Sequence, residues 1–318
     1  MMTALVRHRY GGPETLQLEE VERPALEDDG VLVRVRASSL NKADFHRLRG
    51  WPKLLRGSSG RLRPRNPLVG SDFAGIVEEV GKGVTDVRPG DGVFGVRAGA
   101  FAEYVCAKVY APKPPNVGFE AAAAVPIAGL TALQALRDRG GLRPGERVLV
   151  NGASGGVGTL AVQIATALGG HVTAVCSAQN LEQARELGAE RVVDYARDNV
   201  TRGDQRFDLI LDVAGGHSWR ALRRILAPEG RLVIVGAHGS RHQLRHIAAT
   251  WLASRGSKHT VTFHVAKLLN DDLRSLAELL ADGRLTPRID RTHELADGAS
   301  AFRTFADGHV RGKLVVTI

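Results

Sequence analysis

Val148-Leu149-Val150-Asn151-Gly152-Ala153-Ser154-Gly155-Gly156-Val157-Gly158 is an apolar strand that runs into a glycine-rich turn, and Gly158 to Leu168 continues with apolar residues at helical spacing. The turn reads Ala153-x-Gly155-x-x-Gly158, a dinucleotide fingerprint with alanine in place of the first glycine. Without a Cβ, Gly155 and Gly156 let the backbone approach a pyrophosphate, which Ser154 and Val157 flank. Its charge meets the unpaired N–H groups and positive dipole end of the following helix. Gly158 permits that helix to pack closely on the sheet.

Outward from this stretch, strand and helix patterns alternate. His171 to Ser177 precedes a helical pattern at Leu181 to Leu187. Val192 to Tyr195 and Leu209 to Val213 are further strands, and Arg231 to Gly236 follows a helix around Trp219 to Leu226. Runs of β-branched residues flanked by helices predict a doubly wound parallel sheet. Residues 1 to about 120 differ, with short β-like runs at Val31 to Ala37, Ile76 to Val80, Gly92 to Val96 and Phe101 to Ala107 between turns. These predict an antiparallel, barrel-like domain. A helix at Asp271 to Ala281 and a closing strand at Lys313 to Ile318 return to that domain. The expected division is 1–122 with 262–318 as the barrel domain, and 123–261 as the dinucleotide domain. A chain of 318 residues suits two such cores with a cleft.

At the end of the second strand an NAD-preferring site usually carries Asp or Glu. This chain has Cys176-Ser177-Ala178-Gln179-Asn180 there. Ser177, Gln179 and Asn180 can donate hydrogen bonds to a 2′-phosphate that a carboxylate would repel, so NADPH is expected over NADH.

Composition excludes several classes. With 43% hydrophobic and 24% charged residues the chain is globular rather than disordered or fibrous. Its most apolar stretch, Ala121 to Leu136, is alanine-rich and broken by Pro126 and Gly129, so no membrane span is expected. No secretory signal is legible, and a cytoplasmic protein is expected. Cys106 and Cys176 sit in apolar runs as buried free thiols. The net charge of +9 invites a nucleic-acid reading, but the arginines are spread along the chain, and the densest run, Arg56 to Arg65, reads as a solvated loop.

Several motifs in order resemble the zinc-free branch of the medium-chain dehydrogenase/reductase superfamily, the quinone oxidoreductase-like and alkenal reductase-like proteins. They are Asn41-Lys42-Ala43-Asp44 with Arg47 and Gly50, Gly70-Ser71-Asp72-Phe73-Ala74-Gly75, Pro89-Gly90-Asp91, Ala100-Phe101-Ala102-Glu103-Tyr104, Val125-Pro126 to Gly129-Leu130-Thr131-Ala132, the Gly152 to Gly158 loop, and Leu187-Gly188-Ala189. The resemblance implies a GroES-like β-barrel domain joined to a Rossmann domain, usually as a homodimer. Zinc-dependent relatives carry a cysteine near Asn41 and Gly-His-Glu near Gly70, whereas this chain has Lys42 and Gly70-Ser71-Asp72, so no metal is expected.

By the same resemblance Asn41 lies near the nicotinamide ribose and Thr131 near the nicotinamide or its phosphate. Ser177, Asn180 and Tyr195 face the adenosine end, and Val213, Val235 and Gly236 line the crevice. Phe263 and Val265 pass the carboxamide, and Lys313 contacts the cofactor. Relatives often hold Lys or Tyr where this chain has His46, which makes His46 the candidate for hydrogen-bond or proton donation, with a surface or structural role as the alternative. His264 is a second candidate. Trp51 to Pro67 is expected to select the substrate. The implied activity is zinc-independent hydride transfer to a quinone or α,β-unsaturated carbonyl. An enoyl-thioester reductase and a nucleotide-dependent RNA-binding or non-catalytic protein on the same scaffold are the competing readings.

Overall fold

The computed structural model describes residues 1–51, 60–235, 250–308 and 310–318. Two compact units emerge, Met1–Ala128 with Leu268–Ile318, and Gly129–Lys267.

In the first unit the strands are β1 (Met2–Arg7), β2 (Leu16–Val21), β3 (Val31–Ser39), β4 (Asp72–Val80), β5 (Gly92–Val96), β6 (Tyr104–Ala107) and β7 (Val109–Pro112). The second unit holds β8 (Arg147–Asn151), β9 (His171–Cys176), β10 (Arg191–Asp194), β11 (Phe207–Asp212), β12 (Leu226–Ile234) and β13 (Thr260–Phe263), and the chain returns to the first with β14 (Ile289–Glu294) and β15 (Lys313–Thr317).

The second unit is a six-stranded sheet in the order β10-β9-β8-β11-β12-β13, every neighbouring pair parallel. Val148, Leu149 and Val150 are buried, as are Leu209, Ile210 and Leu211 beside them, which is why these strands read as continuous apolar runs rather than alternating ones. The strand order reverses between β8 and β11, and such a reversal opens a crevice beyond the carboxyl ends of the two strands. β13 extends the parallel sheet through Phe263. The sequence boundary at residue 262 therefore falls inside a strand, because a four-residue strand carries too little periodicity to show which sheet it joins.

In the first unit β14-β15-β3-β4-β5-β7 form a seven-stranded sheet with β6 also paired to β3. Only β14 and β15 run parallel within it. Val31, Val33 and Val35 of β3 pack with Phe73, Val77 and Val93 in one core. Leu40, Leu48, Phe101, Phe302 and Leu314 form a second. The terminal strand joins its sheet by pairing Val315 and Val316 with Ser39 and Ser38, which brings Lys313 to the end of β3 where the motif Asn41–Asp44 begins.

Both cysteines are free and buried. Among the described residues no helix is long and apolar enough to cross a membrane.

Candidate functional site

In the second unit, β8 ends at Asn151 and the chain turns through Gly152, whose φ of +93° favours glycine. The turn is pinned from both sides. Gly152 and Ala153 N–H groups donate to the Val175 carbonyl at 3.1 and 3.0 Å, and Val213 and Ala214 N–H groups donate to the Asn151 carbonyl. Asn151 Nδ2 donates to Asp212 Oδ1 at 2.7 Å, which ties β8 to β11 at the point where the strand order reverses.

The helix Gly156–Ala167 starts with Gly155 as its cap and no side-chain cap hydrogen bond. Its first amides therefore lack the Ser, Thr or Asp oxygen that commonly satisfies them. A Cβ at Gly158 would stand 2.0 Å from the Gly152 carbonyl oxygen, so glycine is required for the helix to lie against the turn. A Cβ at Gly155 would meet nothing within 4 Å. That open space in front of uncapped amides fits a pyrophosphate.

At the end of β9, Asn180 Nδ2 donates to Ser177 Oγ at 2.9 Å. Asn180 is buried and its Oδ1 has no hydrogen-bond partner. Tyr195 is exposed at the end of β10. Register pairing sets Asp194 opposite Cys176, and Arg197 Nε lies 3.8 Å from Asp194 Oδ2. Arg197 stands two residues beyond Tyr195 and was not among the residues the sequence assigned to the adenosine end.

Thr131 is buried in the helix Pro126–Gln134. Val213 and Val235 are half-buried just after the carboxyl ends of β11 and β12. Phe263 and Val265 are exposed, while His264 between them is buried with neither ring nitrogen hydrogen-bonded. Gly236 and residues 52–59 of the expected substrate loop lie outside the described residues.

The first unit gathers a different site. Asn41 caps the helix Lys42–Arg49, and its N–H donates to Asp44 Oδ2 at 2.9 Å. Its side chain points into a buried cluster, with Nδ2 donating to Asp72 Oδ2 at 2.8 Å and Oδ1 accepting from Lys313 Nζ at 2.6 Å. Asp72, fully buried, also accepts from Ser39 Oγ at 3.0 Å, from the Ile127 N–H at 3.0 Å and from Lys313 Nζ at 3.4 Å. Burial depresses the Lys313 pKa, and the nearby Asp72 and Asp44 carboxylates oppose that shift. Ser71 Oγ donates to Asp44 Oδ1 and accepts from Arg47 Nη1. The structure thus unites Asn41 and Lys313 around Asp72, which the sequence offered only as part of a motif.

His46 lies one turn after Lys42. It is half-buried, its Nε2 has no partner, and its ring centroid is 4.8 Å from that of Trp51. Burial, reinforced by the charges of Lys42 and Arg49, pushes its pKa down to about 4. The imidazole is therefore neutral near pH 7.

Residues 27–115 match the family described as alcohol dehydrogenase GroES-like domain, and residues 187–316 match zinc-binding dehydrogenase. A chloroplast envelope quinone oxidoreductase homolog from Arabidopsis thaliana is 31% identical over 334 residues, covering 99% of this chain and 98% of that protein. The quinone oxidoreductase from Coxiella burnetii superposes with a TM-score of 0.87 at 29% identity, over 100% of this chain and 99% of that one. The Escherichia coli quinone oxidoreductase complexed with NADPH shares the fold, with a TM-score of 0.82 at 24% identity over 99% of this chain and 100% of that one. The chain belongs to the quinone oxidoreductase-like branch of the medium-chain dehydrogenase/reductase superfamily and is an oxidoreductase.

The description zinc-binding dehydrogenase raises the question of whether this chain's residues suit a metal. Among the described residues no group of three or more His, Cys, Asp or Glu converges on one point. Asp72, at the place the resemblance gives to a ligand, accepts from an ammonium, an amide, a hydroxyl and a backbone N–H. Those donors do not fit zinc, which needs about three protein ligands.

Proposed function

We propose that this chain is a zinc-independent reductase that uses NADPH to reduce a quinone or an α,β-unsaturated carbonyl. The observation that carries this reading is the open space at Gly155 before uncapped helix amides. NADPH, when bound, supplies the hydride.

Gly155, Gly156, Val157 and Gly158 offer backbone N–H groups to the pyrophosphate, with Ala153 and Ser154 shaping the turn. Ser177, Asn180 and Tyr195 hold the adenosine end, and Arg197 supplies the cation that a 2′-phosphate attracts. Thr131, Val213, Val235, Gly236, Phe263 and Val265 are assigned to the nicotinamide half. Asn41, held by Asp72 and Lys313, orients the reacting end. Acceptors that delocalise negative charge suit a site whose described residues gather no set of metal ligands.

His46, being neutral, offers an uncommitted ring nitrogen for the carbonyl oxygen, while solvent delivers the proton. The reading includes a cytoplasmic homodimer, in keeping with two free buried thiols and with β13, an edge strand of its sheet.

Oxidation of NADPH and of NADH is measured with a quinone, an enone and an enoyl thioester. Turnover of quinone or enone with NADPH, without added zinc and in the presence of a chelator, is the expected result; a zinc requirement or inactivity with all three acceptors overturns it. His46→Ala is expected to lower kcat/KM about tenfold and His46→Gln less than threefold, with no break in the wild-type profile between pH 6 and 7. A break there that His46→Gln abolishes would assign the proton to the imidazole. Arg197→Glu is expected to shift the NADPH to NADH preference about tenfold toward NADH, since it sets a carboxylate where the 2′-phosphate is assigned.

A further inference from the structure

The six strands of the second unit are parallel, so segments that enter them meet at the edge opposite the Gly152–Gly158 loop. Arg206 immediately precedes β11, Lys258 and His259 immediately precede β13, and Arg223 and Arg224 end the helix Trp219–Ile225 that leads into β12. Together with Leu226, Pro228, Gly256 and Ser257 they line a groove of about 620 Å³ whose described lining includes no Asp or Glu.

Several exposed cations elsewhere find carboxylates, as Arg23 does with Glu78 at 3.2 Å, Arg97 with Glu27 at 3.3 Å and Arg274 with Asp86 at 2.9 Å, although Arg34, Arg36 and Lys82 do not among the described residues. In the groove Arg206 donates only to the backbone carbonyls of Asp204 and Gln205. Arg223, Arg224 and Lys258 have no ion-pair partner among the described residues. The dipole at the end of a helix favours Arg223 and Arg224. It does nothing for Arg206 and Lys258, which arrive from two other segments.

His259 also lines the groove. His259 stands edge-on to Trp219 at 6.1 Å, and its Nδ1 is buried with no hydrogen-bond partner. Four like charges around one hollow repel one another and concentrate anions from solution. The apolar floor of Leu226 and Pro228 suits a ligand that carries a carbon skeleton between its charges.

We propose that this groove binds a ligand bearing two or more phosphate groups, at a site separate from the dinucleotide loop. Arginine forks match phosphate oxygens, and Lys258 adds a point charge. The phosphates can belong to a small oligophosphate or to the backbone of a single-stranded nucleic acid.

The full chain saturated with NADPH is titrated with inorganic tripolyphosphate by calorimetry and with a fluorescein-labelled oligouridylate by anisotropy. Binding of either probe is expected, weakened at least tenfold in Arg223→Ala/Arg224→Ala and about threefold in Lys258→Ala. Both variants should keep wild-type NADPH oxidation and melting temperature, because these side chains are exposed. For the oligonucleotide, the slope of log affinity against log salt should flatten by about 1.4 in the double variant, from about 0.7 per cation removed. Tripolyphosphate alone binding identifies a small phosphorylated ligand; tighter oligonucleotide binding identifies a nucleic-acid strand. Three results overturn the proposal: neither probe binds, NADPH displaces the probe, or Arg23→Ala/Arg97→Ala weakens binding as much as the groove variant.

Discussion

The loop that follows β8 and the cluster around Asp72 are both polar, and they are built in opposite ways. The loop presents main-chain amides to open space, with glycine wherever a Cβ would intrude. The cluster turns side-chain charges inward, where Lys313, Asn41, Ser39 and a backbone N–H satisfy one carboxylate. An anion site made of backbone is indifferent to most side-chain chemistry and intolerant of volume. A buried ionic cluster tolerates little change of charge and depends on all its members at once.

That contrast is open to direct attack. The largest effect is expected from Gly158→Val, whose Cβ collides with the Gly152 carbonyl and the Ala153 backbone. NADPH affinity should fall by at least about 100-fold, roughly 2.8 kcal/mol, measured by fluorescence titration. Gly155→Ala is the sharpening partner: its melting temperature should stay within about 1 °C of wild type while NADPH affinity falls about tenfold, roughly 1.4 kcal/mol. If Gly155→Ala binds NADPH as wild type does, the open space is not the cradle.

Asp72→Asn removes from the buried Lys313 ammonium the carboxylate that it contacts at 3.4 Å. Chemical denaturation should show a loss of about 3 to 5 kcal/mol, the usual cost of orphaning one member of a buried pair. Lys313→Met should cost a similar amount, and Asp72→Asn/Lys313→Met should recover at least half of it. Strict additivity of the two single losses would show that the charges do not interact.

The smallest effect concerns His264. Burial lowers its pKa, so as pH falls below about 6.5 the unfolded chain takes up a proton before the folded one does. Its contribution to stability is thus present above pH 6.5 and lost as pH falls toward its depressed folded value. His264→Leu should show a shallower drop in melting temperature between pH 6.5 and 5.5 than the wild type, with the two little different at pH 7.5. Parallel curves would exclude this residue as a source of acid sensitivity.

Much of the second unit was legible because its signals are local. The expected strand from Val148 to Asn151 is contained in β8, and the helix Gly156–Ala167 begins two residues before the expected Gly158. Its register and strand order follow from general rules for βα units. The first unit gave its motifs but not their assembly. Asp72 opens β4 ahead of an apolar run, yet nothing within a few residues reveals that it pairs with an ammonium 241 positions away. The neutral state of His46 was equally hidden, since it is burial that drives the pKa down to about 4. Arg197 was missed although Tyr195 two residues earlier was assigned, because only its approach to Asp194 at 3.8 Å ties it to the end of β10.

The position of β15 governs the order in which the protein can be made. Every strand of the parallel sheet has left the ribosome once residue 263 has emerged, so that unit can close while translation continues. The unit that begins first must wait, because Val315 and Val316 complete the pairing of β3 and Lys313 neutralises Asp72 only after some 240 further residues have been synthesised. During that interval Asp72 waits for its ammonium, and a chain that stops short of Lys313 lacks both that ammonium and the strand that pairs with Ser38 and Ser39.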